Sequence, residues 1–223
     1  MIDWQALILS LELAAVTLLV LLPLGLWLGR WLARTPWRGK AWIEALVVLP
    51  LVLPPTVLGY YLLVAFGGAS PLGRVFNELG LPLTFSFGGL VLASVIFNIP
   101  FMVQPVQRAF EAIPRDLAEA AACSGLGGWQ TLWRVELPLA WPGILSAMVL
   151  TFVHTLGEFG VVLMMGGSIP GETQTIAIAI YDRVQAFDLH SADRMALVLL
   201  LLSLLAVAAS FFATARLSAG ARR

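Results

Sequence analysis

Five long apolar stretches, at about residues 5–29, 43–66, 86–107, 141–165 and 195–215, govern what this chain of 223 residues can fold into. Each meets the length a helix needs to cross about 30 Å of hydrocarbon, which is roughly 20 apolar residues. A helix in a bilayer also satisfies its backbone N–H and C=O groups within its own segment, so the runs predict helices rather than open strands. The remaining residues cannot solvate so much apolar surface: hydrophobic residues make up 60% of the chain and charged residues 12%, with a mean hydropathy of +0.91. The chain is therefore read as an all-α integral membrane protein with five transmembrane helices.

Basic residues predict its direction, because cytoplasmic loops retain Lys and Arg. With the amino terminus outside, Arg30, Arg34, Arg38, Lys40, Arg108, Arg115, Arg134, Arg216, Arg222 and Arg223 fall inside, and only Arg74, Arg183 and Arg194 fall outside, a split of ten to three. The carboxyl terminus is then cytoplasmic. Trp27, Trp31, Trp37, Trp42 and Trp141 gather at the inner interface and Trp4 sits at the outer one, levels at which an amphipathic ring is stable. Residues 166–194 are too short in apolar length for a sixth crossing, and Thr175–Ile180 with its neighbours is expected to dip back toward the bilayer. No segment between spans is long enough for a self-stabilising fold, so residues 1–223 form one transmembrane domain. The net charge is zero, which leaves no footprint for nucleic acid. The single Cys123 excludes a disulfide framework within the chain and reads as a small apolar residue. The amino terminus lacks the basic region of a cleaved signal, so no cleavage is expected.

The longest charged connection, about residues 108–140, has internal order. Pro114 suits the first turn of a helix, Arg115 to Ala122 is strongly helix-favouring, and Ser124-Gly125 is a helix stop. Beyond Gly127-Gly128, the residues Trp129, Leu132 and Trp133 share one face of a second short helix that can lie on the inner membrane surface. The expectation is a helix-turn-helix. Its alanines permit close approach to a partner, Gly125 permits a sharp turn, and Glu119 offers a charge for docking. Across it runs a fixed spacing: Glu119-Ala120-Ala121, then Gly125, then Val135 and Leu137-Pro138. From average residue frequencies a match at these seven positions arises by chance on the order of once in 10^4 chains of this size or fewer.

That spacing resembles the loop through which type I ABC importer permeases grip their ATPase. The resemblance covers essentially the whole chain and implies the MetI-like core of five crossings, an outward amino terminus and this loop between the third and fourth helices. Three further stretches are similar to the molybdate permease branch: Leu49 to Tyr60 with its Pro50, Pro54 and Pro55, Leu156-Gly157-Glu158-Phe159-Gly160, and Ile169-Pro170-Gly171-Glu172-Thr173. Sulfate and tungstate permeases share much of this pattern. The resemblance implies a multi-pass protein of the bacterial inner membrane that acts with a second copy of itself, two ATP-binding cassette subunits and a periplasmic oxyanion-binding protein. The chain has no Gly-x-x-x-x-Gly-Lys-Ser/Thr phosphate cradle, so ATP hydrolysis is assigned to the partner subunits, and no cofactor or metal is implied.

Ionisable groups within the spans are the candidates for the path, since a charge in the bilayer is costly and faces a bundle interior or water. Glu158 lies in the fourth span with His154 one turn earlier, and Thr151 and Thr155 beside them. Two readings stay open. In one, His154 and Glu158 satisfy each other and pin helices together. In the other their face lines the translocation path, with His154 meeting the anion and Glu158 orienting it. Asn98, Pro100, Gln104 and Gln107 mark the third span, and its prolines, like those of the second, read equally as a broken helix lining a cavity or as packing kinks. Glu12 and Glu44 read as interfacial. His190, Asp182, Asp188 and Asp193 follow no metal-ligand spacing and suggest a solvated or partner-facing outer surface. An intramembrane serine protease using His154 with Ser94, Ser146 or Ser203 is the rival from another class. It is disfavoured by the lack of an oxyanion-hole glycine run.

Overall fold

A computed structural model describes residues 2–220; Arg222 and Arg223, which enter the basic-residue count, lie outside the described residues. The regular structure of the described residues is all helical: α1 Trp4–Arg34, α2 Lys40–Val52, α3 Pro55–Phe66, α4 Pro71–Glu78, α5 Phe87–Glu111, α6 Arg115–Cys123, α7 Gly128–Thr131, a π turn Leu132–Glu136, α8 Leu137–Leu156, α9 Gly160–Gly166, α10 Ile176–Gln185 and α11 Leu189–Gly220. Four helical stretches are long and apolar enough to cross a membrane, Trp4–Arg34, Phe87–Glu111, Gly128–Leu156 and Leu189–Thr214, and α2 with α3 makes a fifth if the bent pair is one span. The expected five apolar runs each find a helix. Three differences are instructive.

First, the second run is not one rod. α2 and α3 meet at 107°, because Pro54 and Pro55 interrupt the ladder after Leu53 and Pro55 restarts it as a first-turn residue. Second, the fourth run is also divided: α8 stops at Leu156, and α9 begins at Gly160 after three non-helical residues. At its other end α8 is longer than expected. The helix containing Trp129 and Trp133 does not stand apart as the second arm of a helix-turn-helix but continues through the π turn into α8. Pro138 explains the wide turn: it has no N–H to give, and its ring crowds the carbonyl one turn back, so the preceding turn opens and Leu137 N–H donates to Leu132 O.

The core is a bundle of α1, α5 and α8 around Leu21, Met102, Val106, Phe110, Ile144 and Ala147. Gly25 and Gly29, one turn apart on α1, let α5 approach closely: a Cβ on Gly25 would come within 2.3 Å of Met102 Cγ, and one on Gly29 within 3.0 Å of the Gln107 backbone nitrogen. α11 packs more loosely, with Leu200, Leu204, Leu205, Phe211 and Phe212 all exposed on the chain alone. The expected short element in 166–194 is α10, ten residues long, seated on the start of α1 through Ile176, Ala179, Ala6 and Leu7. Ile176 N–H donates to Ser10 Oγ at 2.8 Å, which fixes its first turn. Because α1 has 31 residues at about 1.5 Å each, α10 and the residue 108–140 loop lie at opposite ends of the bundle.

Candidate translocation site and coupling loop

The two broken spans meet. A Cβ on Gly160, at the start of α9, would come within 2.8 Å of Pro55 Cβ, at the start of α3, and one on Gly59 within 2.7 Å of Met164 Cβ. Small residues thus hold α3 and α9 at near-backbone contact, with both interruptions side by side. Around them opens a cavity of about 790 Å³ lined by Pro55, Thr56, Phe97, His154, Glu158 and Gly160, and closed on the far side by α11 residues that include Leu199 and Ser203. Non-helical backbone at such depth is tolerated where it is buried in protein or borders a cavity, and here it does both.

Behind this cavity lies a polar network held by α5. Ser94 Oγ donates to Glu158 Oε2 at 3.0 Å, and Asn98 Nδ2 donates to the same oxygen at 3.2 Å and to Ser94 O at 2.8 Å. The Ser94 carbonyl can only accept, so the Asn98 amide is oriented with its oxygen toward His154. His154 Nδ1–H therefore donates to Asn98 Oδ1 at 2.9 Å. Nε2 of the ring has no hydrogen-bond partner among the described residues. The imidazole stacks on Phe101 with centroids 3.8 Å apart and lies 5.3 Å from the Phe97 ring. His154 and Glu158 consequently do not satisfy each other, as one reading of the sequence had it: Asn98 stands between them, because one helical turn ends at Leu156 and Glu158 has left the face that His154 occupies. Glu158 is 4% exposed, its Oε1 has no partner, and no cation contacts it among the described residues.

Of the five residues expected on the path, His154 and Glu158 line the cavity, Asn98 sits one layer behind, and Thr151 and Thr155 are fully buried. Thr155 Oγ1 donates to the Thr151 carbonyl at 2.8 Å, an ordinary back-bond within a helix. Ser94 is spent on Glu158 and Ser146 on the Pro142 carbonyl, so neither hydroxyl faces His154. At the α10 end of the bundle Asp182 accepts from Ser168 and Gln174, while Asp188 caps the start of α11 through Ser191 N–H.

At the opposite end, α6 ends as the sequence implied. Leu126 N–H donates to Ala121 O at 3.0 Å across Gly125, whose φ of +78° is the left-handed conformation that closes such a cap. Glu119 and Ala120 are exposed, Ala121 is buried at 7%, Leu137 is packed against the α1–α5–α8 core, and Pro138 is exposed. Cys123, read as a small apolar residue, is exposed. The residue that ties this loop to the bundle is one that the sequence reading passed over. Glu136, 3% exposed, accepts from Arg30 Nε at 2.6 Å and lies 3.3 Å from Arg34 Nη2, joining α1 to the head of α8. Arg30 and Arg34 at one-turn spacing were the only signal for it.

A transmembrane bundle with two broken, abutting spans over a small-residue helix cap defines a class, and comparison with known proteins agrees. Residues 22–223 match the family described as binding-protein-dependent transport system inner membrane component, and the chain belongs to it. It is 48% identical to the molybdenum transport system permease protein ModB of Azotobacter vinelandii over 219 residues, covering 98% of this chain and 96% of that one. Its fold is similar to that of a bacterial ABC transporter involved in the import of alginate (TM-score 0.76, 18% identity, 95% of this chain and 78% of that one). It is similar also to the MetNI methionine ABC transporter in inward-facing conformations (TM-score 0.71, 19% identity, 96% and 94%). The chain is thus a permease subunit of an ABC importer in the bacterial inner membrane, and ATP hydrolysis belongs to separate subunits.

Proposed function

We propose that this chain forms the translocation path of a molybdate importer, paired with a second copy of itself, fed by a periplasmic oxyanion-binding protein and driven by two ATP-binding cassette subunits on the coupling loop. The near full-length similarity to a molybdenum permease carries the substrate assignment. The amino terminus lies outside and the carboxyl terminus in the cytoplasm, as the ten-to-three basic split supports. The cavity at the two helix breaks is the waist through which the anion passes, and alternating access consists of these breaks opening first to one side and then to the other. His154 presents Nε2 to the passing anion. Bare, that nitrogen offers a lone pair and repels; protonated, it donates to an oxyanion. Glu158 does not touch substrate but, through Asn98, fixes the ring.

Glu119, Ala120, Ala121, Gly125, Leu137 and Pro138 form the joint with the ATPase. Its test is uncoupling. Glu119→Lys reverses the docking charge, and Gly125→Val forces a β-branched residue into a φ of +78°. Each is expected to leave an inserted, folded chain with transport reduced at least tenfold, and normal transport by either removes the coupling assignment.

The substrate is tested in proteoliposomes holding the assembled transporter and a saturating binding protein. ATP-dependent uptake of labelled molybdate, competed by tungstate and weakly by sulfate, is expected. Sulfate uptake without molybdate uptake, or a hundredfold preference for tungstate, assigns the alternative oxyanion.

A further inference from the structure

A second cavity, of about 720 Å³, opens between the inner end of α1 and the head of the fourth span. Its rim carries Trp27, Trp31, Trp129 and Trp133, and its polar side carries Arg30 and Arg34. Leu26, Phe110 and Leu137 form the floor. All four indoles are at least partly open on the chain, at 69%, 36%, 71% and 57% exposure, and Trp129 and Trp133 meet edge to face with centroids 5.8 Å apart. The groove therefore has an apolar floor, an indole rim and a cationic head.

The charges do not cancel. Two guanidinium groups share one carboxylate, Glu136, so the groove carries a net charge of about +1. Among the described residues Arg30, 36% exposed, spends only its Nε on Glu136 and makes no other hydrogen bond, and Arg34 Nε and Nη2 are buried without a hydrogen-bond partner. A guanidinium with free donors, next to apolar surface at the level of an indole belt, matches one kind of molecule: a phosphate monoester or diester anion that carries hydrocarbon. A solute ion has no use for the floor, and a neutral lipid has none for the second arginine. Basic pockets between transmembrane helices bind acidic head groups for the same reason.

We propose that this groove is a binding site for an anionic phospholipid, its phosphate on Arg34 and Arg30 and an acyl chain lying on Leu26 and Leu137 between the indole pairs. Since Arg30, Arg34 and Glu136 also clamp α1 to the start of α8, directly behind the coupling loop, the bound lipid stiffens that joint. The proposal does not depend on which oxyanion is carried, nor on which leaflet faces the cytoplasm.

The test uses the full-length chain in its assembled transporter, in vesicles of phosphatidylcholine doped at equal mole fraction with either phosphatidylglycerol or phosphatidylcholine bearing a photoactivatable acyl chain. Labelled peptides are mapped by mass spectrometry. The expected result is at least threefold more labelling of residues 24–37 and 128–139 by the phosphatidylglycerol probe, competed by unlabelled phosphatidylglycerol and not by phosphatidylcholine. Arg34→Gln keeps Glu136 paired with Arg30, so the fold survives, and it should reduce the excess below twofold. Glu136→Gln frees a further cation and should raise the excess in whatever protein folds. Equal labelling by both probes in the unmodified protein overturns the proposal. So does an unchanged excess in Arg34→Gln, or labelling by either probe only when the ATPase subunits are stripped away, which would make the groove a protein contact.

Discussion

Two carboxylates are buried to the same degree, and the protein treats them in opposite ways. Glu136 lies between two arginines, so its charge is compensated and its removal leaves cations stranded. Glu158 is held only by neutral donors, Ser94 Oγ and Asn98 Nδ2, with one oxygen unpartnered. A buried charge with a good partner is a fastening, whereas a buried carboxylate without one is a standing cost that a fold retains for use. The location agrees: Glu136 lies at a helix junction against the core, and Glu158 at the edge of a cavity where two spans are broken.

Breaking the fastening should have the largest effect. Removing one member of a buried ion pair costs roughly 3–5 kcal/mol, and because Arg30 is 36% exposed the loss for Glu136→Gln should fall toward the lower end. Thermal unfolding of the solubilised transporter, followed by tryptophan fluorescence, measures it. Stability equal to that of the unmodified protein would show that the arginines do not need the carboxylate. Asn98→Ala comes next. Interhelical hydrogen bonds in a bilayer average roughly 0.6 kcal/mol and reach about 1.7, and Asn98 makes two, so a loss of about 1–2 kcal/mol is expected together with a larger fall in transport. A variant with normal transport would detach the network from the path.

Glu158→Gln sharpens the contrast because it should leave stability nearly unchanged. The amide oxygen still accepts from Ser94 and Asn98 and the uncompensated charge is gone, so unfolding should shift by less than about 1 kcal/mol, in either direction. Transport should nevertheless fall several-fold. For the same site, uptake should decline as pH rises through the titration range of an imidazole, and His154→Arg should flatten that decline by keeping the charge. Identical pH profiles in the two proteins would remove His154 from contact with the anion.

Much of this was legible in the residues, and the limits have physical causes. The five apolar runs and the α6 cap at Gly125 follow from length, propensity and turn chemistry that act locally. The break at Pro54-Pro55 was visible as an interruption, but its 107° angle was not, since that depends on what α3 packs against. The second break was hidden: Gly157-Glu158-Phe159 sits in a run apolar enough to read as one helix, and the Ser94 and Asn98 donors that hold the Glu158 carboxylate lie on a different helix, α5. Asn98 was named, yet its role between His154 and Glu158 needs the register of α5 against α8, which no single helix encodes. Glu136 was missed for the same reason, being 106 residues from Arg30. The α1–α5 approach was the recoverable miss, because Gly25 and Gly29 show the small-residue spacing in the sequence itself.

The smallest expected effect belongs to a third carboxylate, that of Asp188, whose side chain is 40% exposed and which serves as the reference for the two buried ones. Asp188 precedes α11, accepts from Ser191 N–H at 3.2 Å and lies 3.8 Å from Arg183 Nη1. Hydrogen bonds from Ser191, helped by the Arg183 charge, hold its carboxyl below the usual aspartate value of 3.8. A carboxyl whose folded pKa is depressed stabilises the fold above its unfolded value, and that contribution disappears as pH falls through the folded value. Local fraying at the start of α11 should therefore be constant from neutral pH down to about pH 3.8 and rise below it. Asp188→Asn retains the capping oxygen and should leave the amides of residues 189–191 as protected as before at neutral pH, since asparagine caps about as well as aspartate. Asp188→Ala should expose them to faster hydrogen exchange at every pH, with no change in global unfolding. If asparagine frayed the helix as much as alanine, the charge and not the cap would be what holds this end, and Asp188 would resemble Glu136 more than its exposure suggests.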